Sequence, residues 1–433
     1  MSKASLCVLA AGVLAVSAQP VGAAEGGDLR WSAEAFGQRD EARERTLFNP
    51  DGSLLDGGRN VAGLATHGTG RWDWSTVAAK LDGWLEVRHA AGGNDSVRGT
   101  LSEASLAWTP RDGHTLSGGL GSFRWGTAYI WNPSNPLGDS ELNNASRARN
   151  YHRDGDRFAS YEAVAGKTTY TLAAVELTQR DALLGMRNDR DRQQNERWLA
   201  ARVQQVFDAS DASLVFALRE NERFLGLSTS HTVGNALELH GELGTRSQRR
   251  FTTWRSITVG PPSTAQLPVW DRNDDGARQK WTTSAVLGGQ YTWEDGANLI
   301  VEYLHDGNGL NDHEYDALRN AASDASSLRT NPAFADAANG FLLQANRYTG
   351  RMRRNYAFVR LAKDGLLTNT DVQTFVRRGL DDDSWVYGWL LRWQASEHGS
   401  FALSGEHLRG SADSEALLVP VRNRYQVSFK YDF

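Results

Sequence analysis

The sequence is short of the features on which most soluble enzymes and helical membrane proteins depend. Its single cysteine, Cys7, lies in an N-terminal segment that reads as a secretory leader. Lys3 supplies positive charge, Leu6 to Ala18 is a short apolar run, and Val21-Gly22-Ala23-Ala24 offers small residues for cleavage near Ala23 or Ala24. A leader over 1–24 leaves residues 25–433 without a thiol, which excludes disulfides, cysteine nucleophiles and thiolate metal sites. No run of about eighteen apolar residues follows, so no helix can span a bilayer. No Pro/Ser-rich linker or domain-sized charge asymmetry divides 25–433, which therefore reads as one domain. The net charge is −5 with no basic stripe, so nucleic acid is not an expected partner.

Catalytic signatures are missing too. Neither H-E-x-x-H nor G-x-S-x-G occurs. Gly166-Lys167-Thr168 is similar to the end of a P-loop, but Tyr161 stands where the leading glycine belongs, and the tripeptide reads as a tight turn. No enzymatic activity and no cofactor are expected. Asp271-Arg272-Asn273-Asp274-Asp275-Gly276 matches the first half of a calcium loop, with Asp271, Asn273 and Asp275 as its metal candidates. Thr282 replaces the bidentate glutamate, which leaves only a weak Ca²⁺ site in an outer loop.

What is present in quantity is glycine (43), tryptophan (15) and period-two alternation. In the last segment Tyr425, Val427, Phe429, Tyr431 and Phe433 share one face, and Arg424, Gln426, Ser428, Lys430 and Asp432 the other. Leu81, Gly83, Leu85 and Val87 oppose Lys80, Asp82, Glu86 and Arg88. Leu237, Leu239, Gly241 and Leu243 oppose Glu238, His240 and Glu242, and Tyr387 to Trp393 opposes Gly388, Leu390, Arg392 and Gln394. A soluble sheet would need a second layer over each apolar face. A transmembrane β-barrel sets that face against lipid and the charged face in a wet lumen, because a charge facing mid-bilayer lipid costs about 2–4 kcal/mol. Lumen-lining positions are therefore expected at Lys80, Asp82, Glu86, Arg88, Glu238, His240, Glu242, Arg392, Arg424 and Lys430.

Tight turns are expected at Pro110-Arg111-Asp112-Gly113, Ala165-Gly166-Lys167, Asp208 to Asp211, Val233-Gly234-Asn235, Glu294-Asp295-Gly296, Asp364-Gly365 and Glu397-His398-Gly399. Longer polar stretches separate them, near 38–59, 125–156, 179–195, 247–279, 307–352 and 410–420. Short periplasmic turns alternating with long extracellular loops are the asymmetry of outer-membrane barrels. The spacing implies an antiparallel barrel of about eighteen strands with both termini periplasmic, or sixteen if the weak segment around 60–72 does not pair. A barrel of that width encloses an aqueous passage unless loops fill it.

Two loops are candidates for narrowing it. Pro133 and Pro136 end strand pairing after Arg124-Trp125, and a Trp/Tyr-rich loop needs surface to pack on, which the lumen offers. Constriction residues are expected at Arg124, Trp125, Tyr129, Trp131, Arg147, Arg149, Arg153 and Arg157, the arginines giving forked donors to anionic solutes. The alternative is a solvated outer loop with those arginines paired to Asp139, Glu141, Asp154 and Asp156. In 307–352, Asn331-Pro332 followed by Phe334, Ala338, Phe341, Leu342 and Ala345 predicts a helix, and Asp312 to Ala322 is helix-compatible. Such a helix either lids the mouth or packs on neighbouring loops.

The run R-W-G-x-x-x-x-W-N-P-x-N-P-L at Arg124 to Leu137 resembles a motif of porin-like outer-membrane proteins. Glu302 to Gly309 and Arg353 to Phe358 resemble that group's closing strands. The group is broadly similar to the alginate-export barrels and the substrate-specific porins, which implies eighteen strands and passage of a solute or an anionic polysaccharide. The expectation is a channel in the bacterial cell outer membrane for small or oligomeric polar solutes. Its expected partners are outer-membrane lipid, the barrel-assembly machinery and a polar or anionic solute. The alternative is a plugged barrel acting in surface-polysaccharide binding or assembly.

Overall fold

The computed structural model describes residues 27–54, 60–91, 93, 95–138, 154–178, 195–249, 254–259, 265–270, 280–346 and 348–433. The leader, the calcium-like half-loop with Asp271, Asn273 and Asp275, and Arg147, Arg149 and Arg153 lie outside the described residues.

The strands in chain order are β1 (Gly27–Ala42), β2 (Asn60–Trp74), β3 (Val77–Ala90), β4 (Ser96–Arg111), β5 (His114–Gly121), β6 (Asp156–Ala165) and β7 (Thr168–Thr178). There follow β8 (Asn195–Val206), β9 (Ser210–Arg219), β10 (Glu222–Val233), β11 (Leu237–Arg246), β12 (Trp254–Val259), β13 (Ala265–Trp270) and β14 (Thr282–Thr292). The last are β15 (Ala297–Asp306), β16 (Asn355–Leu367), β17 (Thr370–Gly379), β18 (Trp385–Gln394), β19 (Gly399–Arg409) and β20 (Val421–Asp432). Apart from the β12–β13 hairpin they make one 18-stranded antiparallel sheet. It is closed because β1 pairs with both β2 and β20, Ser32 lying opposite His67 and Asp432. The weak segment at 60–72 does pair, as β2, which settles eighteen against sixteen.

Period two decides which side chains meet lipid. On β20, Tyr425, Val427, Phe429, Tyr431 and Phe433 point outward and exposed, while Arg424, Gln426 and Ser428 are buried inside. Leu287 and Leu172 are 67% and 55% exposed on the same outer surface. So much contiguous apolar exterior belongs in a bilayer, not in water. Near the short turns, rings form a girdle in which Trp393–Phe401 and Phe401–Phe429 centroids lie 5.8 and 4.8 Å apart. At the opposite end of β18, Trp385 stacks on Tyr387 at 5.6 Å. Eight residues at about 3.3 Å, inclined by about 40°, separate the two levels by ~20 Å, close to an outer-membrane apolar band.

All but one of the expected short turns fall where the sequence places them, with Gly113 and Gly166 at φ +74° and +61°, a region open to glycine. The exception is Asp364-Gly365, which lies inside β16 at an irregularity in its pairing with β17; the chain reverses instead at Thr368-Asn369, with Asn369 at φ +59°. The opposite end departs from a uniform set of long loops. Only Glu220 and Asn221 join β9 to β10 there. The β3–β4 and β17–β18 connections are also short, whereas the β15–β16 and β19–β20 connections carry helices. Helix α1 (Asp312–Leu328) starts with a capping box, Asn311 Oδ1 accepting from Glu314 N at 2.8 Å while Glu314 accepts from Asn311 N at 2.9 Å. It runs a turn and a half beyond the expected Ala322, and Ala325 and Leu328 are buried. Helix α2 (Ala335–Asn346) begins after a turn in which Asn331 Oδ1 caps Ala333 N at 3.0 Å. These helices, Phe48, Leu267 of the hairpin, Met352 and Leu418 of α3 (Glu415–Leu418) share one hydrophobic core. Trp270 stacks on Phe341 at 4.9 Å. The outer loops thus form a cored cap at the barrel mouth.

Candidate functional site

After β5 the chain does not continue upward; residues 123–138 turn into the barrel and lie against its inner wall. The wall is shaped to take them. Gly226 of β10 and Gly244 of β11 are register partners. A Cβ on Gly244 would stand 1.8 Å from the Pro133 carbonyl oxygen, and one on Gly226 2.3 Å from that of Ser134. The glycine pair is therefore a dent into which the Pro133–Ser134 backbone is seated. Trp131, 1% exposed, fills the neighbouring space between Tyr356 and Phe358, at 6.3 and 6.2 Å between centroids. Ile130 and Trp131 join Val286, Ile300, Leu304 and Phe375 in one apolar cluster. Trp125 and Leu137 join Val175, Val215 and Phe224 in another.

A buried non-helical segment must satisfy its own amides. Two wall carboxylates do this. Glu242 accepts from Thr127 N (2.6 Å), Ala128 N (2.8 Å), Ser134 N (3.2 Å) and Ser134 Oγ (2.8 Å). Glu302 accepts from Tyr129 N and from Ile130 N (3.0 Å). His240 Nε2 lies 2.9 Å from Glu302 Oε1. Both carboxylates are at most 4% exposed, so each is solvated by backbone dipoles in place of water. Within the segment, Asn135 Nδ2 donates to Phe123 O at 2.9 Å and fixes the turn after Pro133.

Like Arg124, Tyr129 is left exposed by the segment, at 44% exposure. Its ring lies on Phe358, and the Arg360 guanidinium sits 5.1 Å from the ring centroid. Arg360 also donates to Gln373 Oε1 at 2.8 Å and Asn298 Oδ1 at 3.3 Å, which holds the fork in place. Burial, helped by nearby Glu302 and opposed by Arg360, raises the Tyr129 hydroxyl above its ordinary pKa, so it is a neutral donor at physiological pH.

Strand parity places the expected residues as follows. Arg124 is exposed beside buried Trp125. Lys80, Asp82, Glu86 and Arg88 share the inner face of β3 and pair locally, Lys80 with Glu103 at 3.7 Å and Asp82 with His67 at 3.3 Å. Arg88 contacts Glu86. Arg424 grips Asp40 with two 2.8 Å bonds, Lys430 meets Asp432 at 2.6 Å, and Arg392 is exposed on the inner face of β18 opposite Asp371. Glu238 is partly buried on β11.

Three expectations are corrected. His240 and Glu242 face inward but lie under the 123–138 segment, so they hold the constriction and do not line the passage. Arg157 is not a constriction residue. It is the second residue of β6, one step before inward Phe158, whose ring meets Phe123 at 5.2 Å. Parity turns Arg157 outward, where it is 75% exposed and 3.6 Å from Glu176.

Glu302, Gly226, Gly244 and Arg360 were not anticipated. One signal existed for Glu302: Leu299-Ile300-Val301 is apolar on both faces, as in a strand covered on both sides.

No model of a known protein family matches the sequence, and no curated protein matches it. Solved structures do share the fold. Pseudomonas aeruginosa OccK5 (OpdH) is 11% identical and superposes with a TM-score of 0.51 over 94% of this chain and 98% of that one. Acinetobacter baumannii OccAB1 gives 11% and 0.51 over 94% and 96%. Pseudomonas aeruginosa OccK2 (OpdF), solved in complex with glucuronate, gives 11% and 0.50 over 94% and 98%. These are substrate-specific porins, and the likeness establishes a closed eighteen-strand barrel of their type.

Proposed function

We propose that this chain is an outer-membrane channel that passes small or oligomeric polar solutes through a lumen narrowed by residues 123–138, with sugar acids as the favoured class. The observation that carries the reading is the segment pinned to one wall by Glu242 and Glu302, facing an opposite wall left charged and wet. Tyr129 beside Arg360 suits a sugar acid, an aromatic face for the ring and a guanidinium for the carboxylate. The glucuronate bound by OccK2 is a solute of that chemistry. No step of this reading requires bond chemistry by the protein.

Planar-bilayer recording of the purified protein tests it. Ion conductance is expected, with transient block by glucuronate that weakens in Arg360→Gln. A silent wild type that stays silent when 123–138 is deleted overturns the reading. Passage of an alginate-like chain, as the alginate-export resemblance implies, is the narrower form; it expects block times that lengthen with uronate oligomer length. The cored cap favours one second reading, a plugged barrel presenting loops to surface polysaccharide. Conductance appearing only on removal of 311–352 would select it.

A further inference from the structure

The exterior of the barrel carries a built feature that the passage does not use. Across β4 to β8, Leu106, Gly118, Ala159, Ala174 and Leu199 form one outward row in register. Three small residues side by side between leucines leave a groove of about 600 Å³ in the lipid-facing wall. The next row towards the outer rim is Leu120, Arg157, Glu176 and Arg197. Arg157 and Arg197 are 75% and 84% exposed, and both lean on Glu176, at 3.6 and 3.4 Å. Arg157 is eight residues from the short turn at Ala165, hence ~20 Å up the barrel, at the outer edge of the apolar band.

Among the described residues, two exposed guanidiniums meet one carboxylate there, a local excess of positive charge on a surface that faces lipid. At that edge a guanidinium is tolerated and lies at the level of the lipid headgroups. A symmetric second copy of the chain on this face would bring like guanidiniums together. A phosphate would bridge them, since forked N–H donors suit its oxygens.

We propose that this surface binds the phosphorylated, acylated glycolipid of the outer leaflet. An acyl chain would lie along Gly118, Ala159 and Ala174, and a phosphate would sit between Arg157 and Arg197, with Glu176 holding the two forks apart. The proposal rests on the outer-membrane placement of the proposed function. Its readout is lipid retention and not conduction, so the channel reading can fail while this one stands.

The test is native mass spectrometry of the detergent-purified chain titrated with bisphosphorylated lipid A and, in parallel, with the same lipid stripped of both phosphates. Wild type is expected to prefer the phosphorylated form. Arg157→Gln and Arg197→Gln should each weaken that binding by about tenfold, and the double variant should no longer tell the two lipids apart. Ala159→Leu, which fills the groove, should weaken both lipids. Heat-modifiable gel mobility checks that every variant is a folded barrel. Equal retention of the two lipids by wild type, or undiminished preference in the double variant, overturns the proposal. So does an oligomer of wild type that the double variant dissolves, which would assign the face to a second copy.

Discussion

The two halves of the inner wall obey the same alternation and solve opposite problems. On β15 the inward residues are Ile300, Glu302 and Leu304, all nearly inaccessible. On β3 they are Lys80, Asp82, Trp84, Glu86 and Arg88, of which Glu86 is buried against Arg88 and the others are half-buried or exposed. On the wet side charges pair with charges, at separations where exposed ion pairs contribute little, ~0–1 kcal/mol. On the covered side Glu242 and Glu302 collect backbone amides from a segment that would otherwise leave them unsatisfied, with His240 beside Glu302. Identical residue types thus mean different things on the two walls. A glutamate among charged neighbours tunes the field of the lumen, whereas one among Ile, Leu and Phe marks a place where chain is laid down.

The difference can be broken most sharply at the carboxylates. Glu242→Ala with Glu302→Ala strands several segment amides, each charge-assisted bond contributing about 1.5–3 kcal/mol. The segment should leave the wall and single-channel conductance should rise, by ~2-fold or more on the scale of such losses. Lys80→Gln with Asp82→Asn on the wet wall should alter ion selectivity and leave conductance close to wild type. Equal effects from the two pairs would erase the distinction.

A single side chain added to the dent should act nearly as strongly. Gly244→Leu places atoms where the Pro133 carbonyl lies, and overpacking of this kind costs about 1–3 kcal/mol. Gly99→Ala meets open space on β4 and should change thermal stability by no more than about 0.5 kcal/mol. Thermal unfolding of the two variants measures the contrast.

Trp131→Ala should loosen the segment without freeing it, at a local cost of about 3–5 kcal/mol. Ser134→Cys reports this, because residues 25–433 contain no other cysteine. Maleimide should label the introduced thiol slowly while Trp131 is in place and quickly once Trp131→Ala is added; equal rates would deny the anchor.

The smallest effect is expected in the cap. Burial alone would raise the Glu314 carboxyl, but Arg249 at 2.5 Å, the Asn311 amide and Arg354 outweigh it and hold it below the ordinary value of 4.5. A depressed folded pKa gives stabilisation that is present above the unfolded value and lost as pH falls through the folded one. Hydrogen exchange at the start of α1 should therefore be unaffected by this group from neutral pH down to about 5 and should quicken below about 4. Glu314→Gln should remove that step.

Much of this was legible in sequence because period two is read from neighbours in the chain. The outward face of β20, all but one of the short turns and the Trp125–Leu137 segment needed no partner to be recognised. The seat of that segment could not be read the same way. Gly226 and Gly244 matter because two strands place them side by side, and Glu302 matters because a loop more than a hundred residues upstream lies over it. Arg157 shows the limit most plainly: moving a strand boundary by one residue turns a side chain from lumen to lipid.

The seam between β1 and β20 has a consequence for assembly. Arg424 and Asp40 clamp it on the inside, and Asn423 meets Glu41 on the outside. These partners stand almost a full chain length apart, whereas every other barrel pairing joins strands consecutive in the cylinder's own winding. The closure entropy of that one junction falls due only when all the intervening hairpins exist. Until then the growing sheet has two raw edges, each a template for the wrong neighbour. The clamp residues thus act as a latch: they do little for the width or the charge of the passage, and they determine when the sheet becomes a cylinder.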